Sequence, residues 1–165
     1  MAKDSKESFA IDTSAWLSLD MGHIVEVVLK NFDTKTTSLI IKELQAFAKY
    51  DDRLGLVAQR VLKNSIPHET IVHKQHFPVS EADNSIYELA KAQQRTLTTD
   101  DFQLAHYARQ HTQTAFSTYF ILLLMGADMI TKEDAFERLE KMRQGRNWEN
   151  NMIYQRTKEQ IAKFE

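Results

Sequence analysis

Four acids stand where short apolar runs give way to amphipathic ones: Asp12, Glu43, Asp83 and Asp101, with Asp100 beside the last. Clustered carboxylates repel one another unless a cation holds them, and hard oxygen ligands suit Mg²⁺ or Mn²⁺. Such a site can activate a water and stabilise the charge on a phosphodiester during displacement. The acids come from distant segments, so only the fold can bring them together. Each also has an ordinary structural explanation. Asp83 follows Ser80 at capping-box spacing, and acids in a first turn complement the helix dipole in any protein. Thr131 and Asp134 repeat the device where no chemistry is expected. Asp12 and Asp101 carry the functional reading furthest, because each directly ends a predicted buried strand.

No competing catalytic set presents itself. His73 and His76 are three apart on a predicted strand and face opposite sides. His106 and His111 are five apart on a predicted helix, which is poor ligand spacing. The sequence has no cysteine, which excludes disulfides, thiolate metal sites and a Cys nucleophile. No Gly-x-Ser-x-Gly turn surrounds Ser14, so it reads as a helix cap or as a hydrogen-bonding partner of a phosphate or a metal-bound water. Neither common Gly-rich phosphate loop is present, so ATP and dinucleotides are not expected ligands.

The elements that must position the acids alternate between strand and helix. Phe9 to Ile11 read as a strand buried on both faces, ended by Asp12 and followed by a helix with Trp16, Leu17 and Leu19 inward. Gly22 divides that helical stretch. Asn31 to Thr37 reads as a loop, Ser38 to Ile41 as a second strand, and Lys42-Glu43-Leu44 as the start of a second helix. The helical pattern resumes from Leu54 to Leu62 and stops before Pro67. Glu69 to His76 reads as a third strand ended by Pro78, and Ser80 opens the next helix. Thr96 to Thr99 is the central strand, Asp101 to about His111 a helix, and Thr114 to Phe116 a fifth strand. The apolar helix from Tyr119 ends at Gly126, placed at C′, where glycine is favoured. Thr131 caps a helix ending near Gly145, and a last amphipathic segment carries Trp148, Ile153, Tyr154 and Ile161. The alternation predicts an α/β fold with three layers, helices on both faces of a mostly parallel sheet of about five strands. Phe9, Phe47, Phe116 and Phe120 sit at core spacing.

At 165 residues the chain is long enough for one well-packed domain. The expected organisation is a domain over 1–145, with residues 1–8 a loose tail, and a helical extension over 146–165. The net charge of −2 lacks the basic balance of many nucleic-acid binders, so any such binding needs a local patch or a metal. Candidates for a phosphate path are Lys42, Lys49, Arg53, Arg60, Arg95, Arg109, Arg143 and Arg146, against the plainer reading of solvated surface charge. The N-terminus lacks the apolar stretch of a secretory signal. Tyr119 to Met125 is too short to span a bilayer, which takes about 20 residues. A cytoplasmic location without membrane attachment is therefore expected.

At the acids the chain resembles the PIN-domain family of metal-dependent ribonucleases. Ile11-Asp12-Thr13-Ser14 resembles the family's opening Asp-Thr-Ser, and Lys42-Glu43-Leu44 its Glu-Leu. Glu81-Ala82-Asp83 with Ile86, Leu89 and Ala90 is similar to its third acidic motif. Leu97-Thr98-Thr99-Asp100-Asp101 with Leu104 and Ala105 resembles its Thr-x-Asp motif. Order and spacing agree over roughly residues 9–125. The resemblance implies an α/β/α fold, one or two Mg²⁺ or Mn²⁺ ions held by Asp12, Glu43, Asp83 and Asp101, and hydrolysis of RNA by a metal-activated water. Ser14 is implied as a supporting residue, with Thr99 and Asp100 in the same motif, Asp100 at a position where the family varies. Many family members are VapC-type toxins that pair with an antitoxin, so single-stranded RNA, an antitoxin or regulatory protein, and a second copy of the chain are the implied partners. The extension beyond about Gly145 departs from the compact toxin pattern.

Two other readings stand beside the endoribonuclease. A PIN-like module that binds RNA or a protein without cutting would present an exposed apolar patch, for which Trp148, Met152, Ile153 and Tyr154 are candidates. A phosphoacceptor receiver domain shares the sheet, but wants an acidic pair at the first strand end, where only Asp12 stands.

Overall fold

A computed structural model describes residues 7–165. In chain order the elements are β1 (Ser8–Ile11), α1 (Thr13–Met21), α2 (Val25–Asn31), β2 (Asp33–Thr37), α3 (Ser38–Phe47), α4 (Arg53–Leu62), β3 (His68–Glu69), α5 (Glu81–Ala92), β4 (Thr96–Thr98), α6 (Phe102–Ala108), β5 (Thr114–Ala115), α7 (Tyr119–Gly126), α8 (Lys132–Arg146) and α9 (Met152–Lys163). The five strands form one sheet in the order β3-β2-β1-β4-β5, every neighbouring pair parallel. The predicted three-layer α/β architecture is therefore the one observed.

Phe9, Ala10 and Ile11 are wholly buried in the central strand β1, as a continuous apolar run requires when helices cover both faces. Phe9 meets Phe120 of α7 at 4.6 Å and Phe32, after α2, at 5.8 Å between ring centroids. Helix α5 lies across β1, β2 and β4. The order matters for function. From β1 the chain builds outward to β2 and β3, then returns to the other side of β1 for β4 and β5. This reversal leaves a crevice at the carboxyl ends of β1 and β4, where ligands bind in open α/β sheets. Ile11 pairs with Thr98 in the parallel register, so Asp12 and Thr99 leave the sheet side by side.

Several predicted boundaries are corrected. Ser8 belongs to β1 rather than to the tail; residues 1–6 lie outside the described residues. The predicted loop Asn31 to Thr37 contains β2, and the predicted second strand Ser38 to Ile41 is the first turn of α3. Thr34, Thr36 and Thr37 supply the β-branched, buried positions of a polar strand. The Thr37 Oγ1 then accepts from the Ile40 N–H at 3.2 Å and caps the helix. Ile40 and Leu44, four apart and both fully buried, carry the helical period that the β-branched run conceals. The third strand is only His68–Glu69; residues 71–79 are irregular and held by Asn84, as described below. Gly126 ends α7 inside the helix, and the left-handed conformation falls on Asp128 at φ 56°.

Trp148 and Ile153 are buried, as is Ile161, and all three join the single hydrophobic cluster. They do not form the exposed patch considered above; of that group only Met152 is exposed. Among the described residues no helix is long and apolar enough to cross a membrane.

Candidate active site

Asp12, Glu43, Asp83 and Asp101 line one cleft of about 700 Å³, together with Thr13, Ser14, Lys49 and Tyr50. Four elements deliver them. Asp12 is the N-cap of α1, and its Oδ1 accepts from the Ala15 N–H at 2.9 Å. Asp101 is the N-cap of α6, with its Oδ1 accepting from the Gln103 N–H at 2.8 Å. Asp83 lies in the first turn of α5, whose N-cap Ser80 accepts from the Asp83 N–H at 3.1 Å. Glu43 stands in the second turn of α3 rather than at a helix start, because α3 begins at Ser38. The ordinary capping role and the shared cleft thus coexist in Asp12, Asp83 and Asp101.

Asp12 is 2 % exposed and accepts only from neutral donors. Ser14 Oγ donates to its Oδ1 at 2.8 Å, and Thr99 Oγ1 donates to its Oδ2. Burial pushes the Asp12 carboxyl up to about 7, against the pull of the bonds from Thr99, Ala15 and Ser14. Burial also raises Asp83, to about 6, with the charges of Asp101 and Glu43 pushing the same way. Among the described residues none of the four acids forms an ion pair with lysine or arginine. Asp12 and Asp83 are thus desolvated carboxylates without a basic partner, which is electrostatically costly, and a cation relieves that cost; Glu43 is half-buried and Asp101 exposed on the same cleft.

Ser14 and Thr99 join the two strand ends: Ser14 Oγ also accepts from the Asp100 N–H at 3.0 Å, and Thr99 Oγ1 from the Asp101 N–H at 3.1 Å. Asp100 turns away from the cleft. Its two oxygens accept from the N–H and Oγ of Ser117, at 2.8 and 2.7 Å, and so tie β4 to the approach to α7. Burial raises its carboxyl.

Of the eight basic candidates, Lys49 and Arg146 line the cleft. Arg95 is buried at the opposite end of the sheet and donates to Asp33; Arg60 pairs with Asp20 and Arg143 with Glu140. Two features escaped the sequence reading. Tyr50, 64 % exposed, and the half-buried Phe47, predicted as core, give the cleft an aromatic wall. Asn84 is buried beside Asp83: its Oδ1 accepts from the N–H groups of His76 and Phe77 at 2.9 and 3.2 Å, and its Nδ2 donates to the Ser80 carbonyl at 3.1 Å. An Asn beside the acid of a capping box was the available signal.

The donor set fits a hard divalent cation. All four candidate ligands are carboxylates. The Thr13 hydroxyl beside Asp12 is buried without a hydrogen-bond partner among the described residues, an orphaned oxygen on the wall of the same cleft. No three His, Cys, Asp or Glu side chains among the described residues already stand at metal-cage spacing. Mg²⁺ does not require such a cage: it keeps several waters and takes one or two carboxylates directly.

No family model and no curated protein matches the sequence. The fold does find likenesses. A PilT N-terminus domain protein from the hyperthermophilic archaeon Sulfolobus solfataricus is similar, with a TM-score of 0.55 at 13 % identity, over 70 % of this chain and 92 % of that one. A domain from Methanocaldococcus jannaschii aligns with a TM-score of 0.48 at 15 % identity, over 67 % of this chain and 90 % of that one. The chain has the PIN-like fold: a parallel five-stranded sheet between helices.

Proposed function

We propose that the chain is a Mg²⁺- or Mn²⁺-dependent endoribonuclease acting on single-stranded RNA. The observation that carries this reading is the cleft itself, which four carboxylates from four separated segments line, none of them in an ion pair with lysine or arginine among the described residues. Asp12, Glu43, Asp83 and Asp101 would hold the cation. When bound, it supplies a water of lowered pKa and neutralises charge developing on the phosphate. Ser14 and Thr99 hold the Asp12 carboxylate in place through its two oxygens. Lys49 and Arg146 give the cleft the positive charge that a phosphodiester needs as it approaches an acidic floor. Tyr50 offers a surface for a neighbouring base. The cytoplasm, a second copy of the chain and an inhibitory protein remain the proposed setting and partners.

The test is cleavage of single-stranded RNA across a Mn²⁺ titration. Wild type should cut in proportion to bound Mn²⁺, and Asp12→Asn should lose at least about a hundredfold, since metal stabilisation of transition-state charge is worth several kcal/mol. Equal rates for the two proteins would overturn the assignment. RNA binding without cleavage by a metal-saturated wild type would favour the non-cutting module instead.

A further inference from the structure

A second groove, of about 480 Å³, opens beside the acidic cleft and has no part in the chemistry above. It runs between α6, the edge strand β5 and the start of α9, and its walls include Phe102, Phe116, His106, Arg109, Met152 and Arg156. Its character is opposite to that of the cleft. No Asp or Glu lines it, whereas two arginines and a histidine do. Arg109 and Arg156 are exposed, and their guanidinium groups form no ion pair or hydrogen bond with the protein among the described residues. Phe102 is 44 % exposed. Its ring meets Phe116 edge to face at 5.8 Å, so the two rings are not stacked on each other. Phe116, predicted as core, is only half-buried here.

The position of the groove is as informative as its composition. Asp101 lines the acidic cleft and the next residue, Phe102, lines the groove, so consecutive residues face the two depressions. Ala115, Phe116 and Arg156 also border a further depression of about 210 Å³ that reaches Tyr119 and Gln160. A basic track with exposed aromatic rings is how single-stranded nucleic acid is held without reading its sequence: arginines follow the phosphates, and bases stack on rings.

We infer that the α6–β5–α9 groove is an extended binding track for single-stranded RNA, in which Phe102 and Phe116 stack bases and Arg109 and Arg156 hold phosphates a few nucleotides from the acidic cleft. For the class of ligand this rests on the ribonuclease reading. Charge complementarity selects the occupant: a polyanion suits two unpaired arginines on a chain of net charge −2 better than an apolar peptide does. The groove thereby supplies the local basic patch that the overall composition lacks.

The experiment is fluorescence anisotropy with a 12-nucleotide oligouridine carrying one 2-aminopurine, in EDTA so that no cleavage occurs. Phe102→Ala should weaken binding about tenfold and relieve part of the 2-aminopurine quenching, which reports loss of stacking. Arg109→Gln and Arg156→Gln should each weaken binding and lower the slope of log affinity against log salt by about 0.7, the value for one phosphate contact on a single strand. These arginines are exposed, so they keep the test decisive if Phe102→Ala fails to fold. A duplex of the same length should compete poorly. Affinity unchanged in all three variants would overturn the track and leave the groove to a protein partner. This outcome is independent of the Mn²⁺ assay: groove-dependent binding by a protein that never cuts would retain the track and remove the ribonuclease assignment.

Discussion

Asp12 concentrates the electrostatic cost of the site in one residue. Its carboxyl is raised from 3.8 to about 7 because burial outweighs three hydrogen bonds. A raised carboxyl pKa means that the folded protein holds the proton more tightly than the unfolded chain. Below about pH 4 both states are protonated and there is no penalty. Between about 4 and 7 the folded state keeps a proton that the unfolded chain has lost, so stability falls as pH rises. Above about 7 the full cost applies, at most about 4 kcal/mol from a shift of this size. In EDTA, Asp12→Asn should therefore gain stability over wild type at pH 8 and lose that advantage at pH 4. Urea midpoints at the two pH values measure it, and a constant difference would contradict the burial cost assigned to Asp12. Asn84 illustrates the opposite economy, a buried polar group with every bond made. Asn84→Ala would strand the N–H groups of His76 and Phe77, at about 2–3 kcal/mol in chemical denaturation. Cleavage should fall with it, because the same loop sets Ser80 and Asp83.

Among the elements, α4 and α7 show how the same substitution changes sign with its surroundings. Gly55 lies in the first turn of α4, where an added Cβ would stand 1.9 Å from the Tyr50 carbonyl oxygen. Alanine is favoured over glycine in a helix by about 1 kcal/mol, but here backbone would have to move, and overpacking of that kind costs about 1–3 kcal/mol. Gly55→Ala should therefore destabilise the protein and disturb Lys49 and Tyr50 on the cleft wall. At Gly126, within α7, nothing stands within 4 Å of an added Cβ, so Gly126→Ala should be neutral or stabilising by up to about 1 kcal/mol. Thermal denaturation of the pair checks both signs. That contrast was hidden in the sequence, where Gly126 reads as a helix stop and Gly55 as an unremarkable member of an amphipathic run.

For the molecule as a whole, the C-terminal helices are part of the core that holds the cleft. Trp148, Ile153 and Ile161 are buried in the same cluster as β1, and α9 packs on α7 and α8. Arg146, at the end of α8, lines the cleft, and its charge partly offsets the raised carboxyl of Asp100. Full burial of each large apolar side chain is worth about 1.5–3 kcal/mol. Removing residues 147–165 should cost several kcal/mol and lower the melting temperature sharply, even though the four acids remain. A truncated chain that melts with wild type would show the extension to be dispensable.

The parts of the fold legible in the sequence were those governed by local patterning. Phe9 to Ile11 announces itself because burial on both faces demands unbroken apolar residues, Thr96 to Thr98 because its threonines are β-branched around an apolar Leu97, and the helix after Ser80 because helix starts need a side-chain cap. Asp12 and Asp101 were visible for the same reason, as residues following those runs, and Asp83 as an acid of the capped first turn, whereas Glu43 was marked by a β-branched run that is in fact helix. Where local preference and long-range packing disagreed, the sequence misled. Ser38 to Ile41 has the β-branched composition of a strand, yet Thr37 caps it as helix, and polar Asp33 to Thr37 takes the strand position beside β1. Only the tertiary structure decided that four distant carboxylates share one cleft, that Asp100 turns inward to Ser117, and that Phe102 opens onto a groove of unpaired arginines. Those outcomes depend on the order in which parallel strands assemble, and strand order is set by contacts between segments far apart in the chain, which no local window contains.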